Sequence, residues 1–256
     1  MENDLGPMDI TSTPRLTRRQ ILSTTAMALI FGVASKANAL VINDQPPWKP
    51  FDASPPETLP AGQWYFFTEQ EAATVGAIAD RLIPADDLSV SGKDAGCVEF
   101  IDRQLAGFFG NFDRLYMAGP FVDGTPEQGD QSPFVPRQRY RIGLAALDAH
   151  CRSAFNSSFA ELKGEQRDKV LKALESGSIT LDGIDAKLFF STVHLNTMEG
   201  FFADPIYGGN KDMVSWKMLG FPGARYDYRN YVDLHDEKLD LPPLSIAGRP
   251  EWKVKG

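Results

Sequence analysis

Between Thr68 and Leu219, apolar residues return at helical spacing in stretch after stretch, and prolines or glycines punctuate the gaps. That pattern confines the chain to an α-helical fold. Thr68-Glu69-Gln70-Glu71 reads as a capping box, with Ala72, Val75, Ile78, Ala79, Leu82 and Ile83 behind it and Pro84 as the stop. Asp94 is expected to start a second helix carrying Val98, Ile101, Leu105 and Phe108 on one face. Residues 117–136 hold four prolines and three glycines and read as a long loop; Pro136 then opens a helix through Tyr140, Leu144, Leu147 and Cys151 to about Phe155. A shorter helix covers Arg167 to Glu175 and stops at Gly177. A more apolar one runs from about Asp185 to Phe202. Asn210 is placed to cap a last helix, Met213 to Leu219, ended by Gly220 and Pro222.

Strand-like alternation of β-branched residues is scarce, and no internal repeat is visible. The expected fold is mainly α: a single helical domain of about five or six helices, residues 67–224, with extended Pro-rich arms at both ends. The arms are residues 40–66, holding Pro46, Pro47, Pro50, Pro55, Pro56 and Pro60, and residues 225–256, holding Pro242, Pro243 and Pro250.

Residues 1–39 read as a removable leader. Thr17-Arg18-Arg19-Gln20-Ile21-Leu22 fits a twin-arginine signal, and Ala37-Asn38-Ala39 fits the A-x-A cleavage rule. The 14-residue apolar run from Ile21 to Ala34 falls short of the roughly 20 residues that span a bilayer. An ordinary secretory leader is the alternative; Lys36 beside the cleavage site favours the twin-arginine route, which exports folded proteins. Such a chain either holds a cofactor or travels with a partner that does.

Cleavage after Ala39 leaves 217 residues with 22 Lys and Arg against 31 Asp and Glu, a charge of −9. An acidic chain without a basic stripe argues against nucleic acid and against an anionic membrane surface. No second hydrophobic segment approaches membrane length, so any membrane attachment is expected through partners. Two cysteines, Cys97 and Cys151, allow a disulfide in an oxidising compartment or a pair of buried thiols. Two cysteines are too few for a four-cysteine iron–sulfur or zinc set, and C-x-x-C-H is absent from the sequence.

A dinucleotide fingerprint, a P-loop and a G-x-S-x-G elbow are likewise missing; Gly208-Gly209-Asn210 sits between helices and reads as a turn. No catalytic, cofactor or metal residue is therefore expected in this chain. His194, Glu199 and Asp204 can be drawn as a metal or acid–base set, but five residues separate His194 from Glu199, which does not stack them on one helical face. The densest segment is 199–225, with Phe202, Tyr207, Trp216, Phe221 and Arg225 among glycines. Its aromatics and arginine suit a partner interface, while a tightly turned loop filling the chain's own core is the competing reading.

The run E-G-F-F-A-D-P-x-Y-G-G-N-x-D, then W-K-x-x-G-F-P-G-A-R, resembles the C-terminal signature of the gluconate 2-dehydrogenase subunit 3 family, the small gamma subunit. Phe67-Thr68-Glu69, Ile78-Ala79-Asp80-Arg81-Leu82-Ile83-Pro84 and Gly96-Cys97-Val98-Glu99-Phe100-Ile101-Asp102 resemble it as well. The resemblance implies one part of a three-part periplasmic dehydrogenase at the inner membrane. A flavin-containing catalytic subunit would hold FAD and oxidise a sugar or sugar acid, and a multihaem cytochrome c would hold haem c and pass electrons on. The small subunit would supply the signal to the twin-arginine translocase through Arg18 and Arg19. A stand-alone enzyme using His194, Glu199 and Asp204, or a free periplasmic binding or assembly factor, is the alternative.

Overall fold

In a computed structural model, residues 63–246 are described apart from 114, 123 and 226. Arg18, Arg19, Ala37, Ala39 and the arm up to residue 62 lie outside the described residues. Among the described residues seven α-helices follow one another: α1 (Glu69–Leu82), α2 (Cys97–Ala106), α3 (Phe108–Asn111), α4 (Pro136–Phe155), α5 (Gly164–Ser176), α6 (Ala186–Phe202) and α7 (Val214–Leu219). The described residues belong to one compact unit, and their only β pairing is two isolated bridges. The mainly helical fold is as the periodicity predicts. The extra element is α3, a four-residue turn beginning at Phe108 that Gly107 separates from α2.

Helix α6 is the centre of the packing. It touches α1, α2, α4, α5 and α7, and its contacts with α2 and α5 are the most extensive. Its sequence explains this, because apolar residues lie on several sides rather than on one stripe. Phe189 and Val193 are buried among the main core residues with Tyr140, Leu144 and Leu147 of α4 and Ile101 and Leu105 of α2. Gly143 lets α4 approach closely: a Cβ there would meet the Phe189 ring at 2.1 Å.

The helix ends largely follow local chemistry. Thr68 accepts from Glu71 N while the Glu71 carboxylate accepts from Thr68 N at 2.8 Å, the reciprocal box read in the sequence. The same carboxylate pairs with Arg141 of α4, whose guanidinium also lies 4.1 Å from the Phe66 ring centroid. Helix α2 departs from expectation: it begins at Cys97, with Gly96 as its cap at φ 87°, and Asp94 belongs to the preceding turn. Phe108 leaves the α2 stripe with α3 and is 57% exposed. Gly177 ends α5 in the left-handed region as expected.

The entry to α1 depends on one buried carboxylate. Asp102, 1% exposed on α2, accepts the backbone N–H groups of Tyr65, Phe66 and Phe67 at 2.8, 3.0 and 2.8 Å. Three convergent donors satisfy a carboxylate that would otherwise be costly to bury, and they fix residues 65–67 against α2. Residues 227–246 belong to the C-terminal segment expected to be extended, and they hold no α-helix. They include a 3-10 turn at Arg229–Tyr231, and Leu244 pairs with the 222–224 segment through Leu244 N to Pro222 O at 3.1 Å and Ala224 N to Leu244 O at 2.7 Å.

The Cys97–Cys151 disulfide is not formed. Cys97 packs with Ala79, Ala95 and Phe201, and its thiol points to the Thr197 carbonyl at 3.5 Å, whereas Cys151 belongs to the main core on α4. Burial, then the charge of Glu99, pushes the Cys97 thiol up to about 12; burial, then Asp148, pushes Cys151 up to about 11. Ellman's reagent should therefore leave the native chain unmodified and titrate both cysteines after denaturation. Asp102→Ala should lower stability in urea titration by roughly 3 kcal/mol or more, because it strands three buried donors. Asp102→Asn, which keeps an acceptor oxygen, should lose less.

Candidate functional site

The segment that resembles the family signature forms the end of α6, a Gly-Gly loop and α7. Asp204 caps the 3-10 turn Pro205–Tyr207 by accepting from Ile206 N at 3.0 Å. Gly208 follows at φ 102°, and Lys211 N donates to the Ala95 carbonyl at 2.9 Å, which ties the loop to the start of α2. Side chains have no room here: a Cβ on Gly209 would meet Gly200 O at 2.0 Å, and one on Gly96 would meet Gly208 O at 2.6 Å.

Asn210 is fully buried and holds the next turn together. Its amide donates to Ala203 O at 2.9 Å, and its oxygen accepts from Ser215 N at 3.0 Å and Ser215 Oγ at 2.8 Å. Helix α7 starts at Val214 rather than at Met213, since Asp212 and Met213 both have positive φ. Asn210 therefore supports it through a side-chain bond into its first turn rather than as an adjacent cap.

The aromatics of this segment divide into two sets. Phe201 and Trp216 point inward, at 2% and 5% exposure, and the Trp216 indole N–H donates to Phe202 O at 2.9 Å. Trp216 is thus a core strut rather than an exposed anchor, because its one polar atom is satisfied inside the loop. Phe202, Tyr207 and Phe221 are 37%, 48% and 46% exposed. Arg225 is half-buried and donates to Pro242 O at 2.7 Å, holding the returning tail.

Phe202 and Tyr207 form one side of a groove of about 560 Å³, with Ala203, Asp204 and Glu199 beside them and Phe100, Gln104, Phe108 and Phe109 of α2 and α3 opposite. The lining is mainly apolar and aromatic, with a few polar groups. Glu199 is positioned from the core: Tyr140 OH donates to Asn196 Oδ1 at 3.0 Å, and Asn196 Nδ2 donates to Glu199 Oε2 at 2.9 Å. Burial, then the charge of Glu199, pushes the Tyr140 hydroxyl well above the usual tyrosine range, so it remains a donor.

The proposed set of His194, Glu199 and Asp204 does not assemble. His194 stacks on Phe190, with ring centroids 5.8 Å apart, in a separate cleft of about 350 Å³ beside the Arg81–Asp168 ion pair. Glu199 and Asp204 share the aromatic groove, but Asp204 accepts from Ile206 N, Ser245 Oγ and Ile246 N and so holds backbone in place. Among the described residues no group of three His, Cys, Asp or Glu is arranged for a metal. A larger open cavity of about 920 Å³ lies between the 121–134 loop and residues 181–188, and none of the candidate site residues lines it.

Several participants escape sequence reasoning. Asp102 was visible as part of a motif, and its place four residues after Val98, on the apolar face of α2, is the signal of a buried charge. The pairing of Phe100, Phe108 and Phe109 with Phe202 and Tyr207 carried no sequence signal, since about 100 residues separate the two walls. The exposed apolar residues Phe121 and Val122 carry no signal in the sequence beyond the 117–136 loop, and Leu115 and Tyr116, also exposed, fall in no element that the pattern predicts.

Fold and site together define an α-helical chain with a mainly apolar, aromatic groove between α2, α3 and the end of α6. Compared with known protein families, residues 69–223 match gluconate 2-dehydrogenase subunit 3, and this chain belongs to that family. No curated protein and no solved structure matches it. No helix among the described residues is long and apolar enough to cross a membrane.

The division of the aromatics can be checked by stability measurements on the isolated chain. Trp216→Ala should cost about 3–5 kcal/mol, as for other buried tryptophans. Tyr207→Ala should change stability by less than about 1 kcal/mol, as for an exposed residue.

Proposed function

We propose that this chain is the small, non-catalytic subunit of a dehydrogenase complex of the gluconate 2-dehydrogenase type. It binds the flavin-containing catalytic subunit after that protein has folded, and the pair is exported by the twin-arginine translocase through Arg18 and Arg19. In the periplasm it remains bound and stabilises the flavoprotein by mass action, since a ligand of the folded state holds that state populated. FAD resides in the catalytic subunit and haem c in a multihaem cytochrome c subunit, through which the complex associates with the inner membrane.

The observation that carries this reading is the outward set of aromatics in the family-matched segment. Phe202 and Tyr207 are exposed at a mainly apolar groove that Phe108, at 57% exposure, also lines, and Phe221 is exposed just after α7. A chain that exposes several aromatics in one matched segment is expected to cover them with a partner. The geometry offers less to a stand-alone enzyme, because Asp204 is committed to Ile206 N, Ser245 Oγ and Ile246 N, and His194 lies in another cleft.

A tagged mature chain, recovered from a detergent extract of its host, should bring down a flavoprotein, seen by flavin fluorescence, and c-type haem bands. A colourless single chain would refute a lasting complex. Tyr207→Ala combined with Phe221→Ala should weaken flavoprotein capture at least tenfold while the free chain stays folded. Replacing Arg18 and Arg19 by lysine should strand both proteins in the cytoplasm; flavoprotein still reaching the periplasm would refute the export role.

A further inference from the structure

The aromatic groove carries one acid whose direction is set from inside the fold. Tyr140 of α4, fully buried, donates through its hydroxyl to Asn196 Oδ1 at 3.0 Å. Asn196, 4% exposed, in turn donates from Nδ2 to Glu199 Oε2 at 2.9 Å. Glu199 itself is exposed at the groove. A carboxylate in open water gains nothing from a fixed direction, whereas one aimed in advance loses less freedom when a ligand arrives. Its other oxygen, Oε1, takes no donor among the described residues, and Glu199 makes no ion pair there.

The rest of the lining leaves that charge uncompensated. It holds no lysine, arginine or histidine, and its second acid, Asp204, already accepts from Ile206 N, Ser245 Oγ and Ile246 N. A carboxylate beside low-dielectric walls attracts a cation. The walls then choose among cations. Phe108, Phe202 and Tyr207 are exposed rings, and a planar guanidinium stacks on a ring while its N–H groups meet a carboxylate, which a compact ammonium does less well. Along α6, Leu195, 58% exposed, lies one turn before Glu199, and Phe202 lies nearly one turn after it. Apolar side chains therefore flank the acid on one helix face.

We infer that an arginine of the flavin-containing subunit enters this groove, with its guanidinium on Glu199 Oε1 and against the aromatic rings, and with an apolar residue beside it on Leu195. This deepens the subunit reading and rests on it for the source of the arginine. Charge complementarity names the occupant: the groove supplies an acceptor and apolar walls but no cation, and the partner supplies the cation. The pair also fixes the face on which the partner meets α6, since an arginine docked there without Glu199 would be desolvated and unpaired.

Two experiments test it. In the first, the tagged mature chain is recovered from a detergent extract of its host, and co-purified flavoprotein is read by flavin fluorescence. Glu199→Gln keeps the side chain's size and an acceptor oxygen for Asn196, and should lower flavoprotein capture at least about tenfold, mainly through faster dissociation. Glu199→Lys should abolish capture. Both variants should melt as the wild type does, because the side chain is exposed. Undiminished capture by Glu199→Gln would overturn the inference and leave the subunit reading intact; no capture by the wild type would overturn both. In the second, the free chain is titrated with Nα-acetylarginine amide, Nα-acetyllysine amide and Nα-acetylcitrulline amide, followed by the NMR shifts of the Phe202 and Tyr207 amides. At equal concentration the arginine probe should shift them roughly fivefold more than the other two, and Glu199→Gln should remove the difference. An equal response to the lysine probe would assign the groove to an ammonium, and an equal response to citrulline would take charge out of the recognition. Either result overturns the proposal.

Discussion

The close meeting of α2, α6 and the Gly-Gly loop governs the rest of the structure. Gly96 and Gly209 let backbone segments touch, against Gly208 O and Gly200 O respectively, where any side chain would force them apart, and Gly200 leaves room for the Phe100 ring. The bond from Lys211 N to Ala95 O closes that junction. Because the junction is closed, Phe100 and Gln104 of α2 stand opposite Phe202 and Tyr207, and the groove exists. A single methyl at Gly209 would meet the Gly200 carbonyl at 2.0 Å and separate the walls.

Two buried carboxylates hold the segments at residues 65–67 and 245–246 against the helices. Asp102 gathers three N–H groups of residues 65–67, and Asp204 gathers Ser245 and Ile246 from the returning tail along with Ile206. Each acid gives extended backbone the hydrogen-bond partners that a helix or sheet would otherwise supply. Segments without cores of their own are held in this way, and the same device brings the chain to the rim of the groove. Asp204, drawn from the sequence as a reactive group, is an anchor for that reason.

Much of the fold was legible because helices are local. The Thr68–Glu71 box, the stops at Pro84 and Gly177, the start at Pro136 and the apolar length of α6 all appear where periodicity and capping chemistry put them. Misreadings arose where the local signal was ambiguous. Asp94 looked like a cap, but Gly96 in the left-handed region starts α2, since its backbone passes Gly208 too closely for a side chain. Phe108 fitted the α2 stripe by spacing, yet the break at Gly107 carries it to the surface. The two cysteines suited a disulfide by count, but they sit in separate parts of the core.

The sequence by itself determined the helical class, the order and approximate ends of the longer helices, and the family to which residues 69–223 belong. These depend on interactions within a few residues or on motif identity, and both are written along the chain. Only the tertiary structure decided which aromatics of the signature face inward. Trp216 is buried because its N–H reaches Phe202 O, while Tyr207 is exposed on a turn whose cap, Asp204, is fastened to a segment about forty residues away. Burial is a property of what packs against a residue from distant parts of the chain, and spacing alone does not encode it.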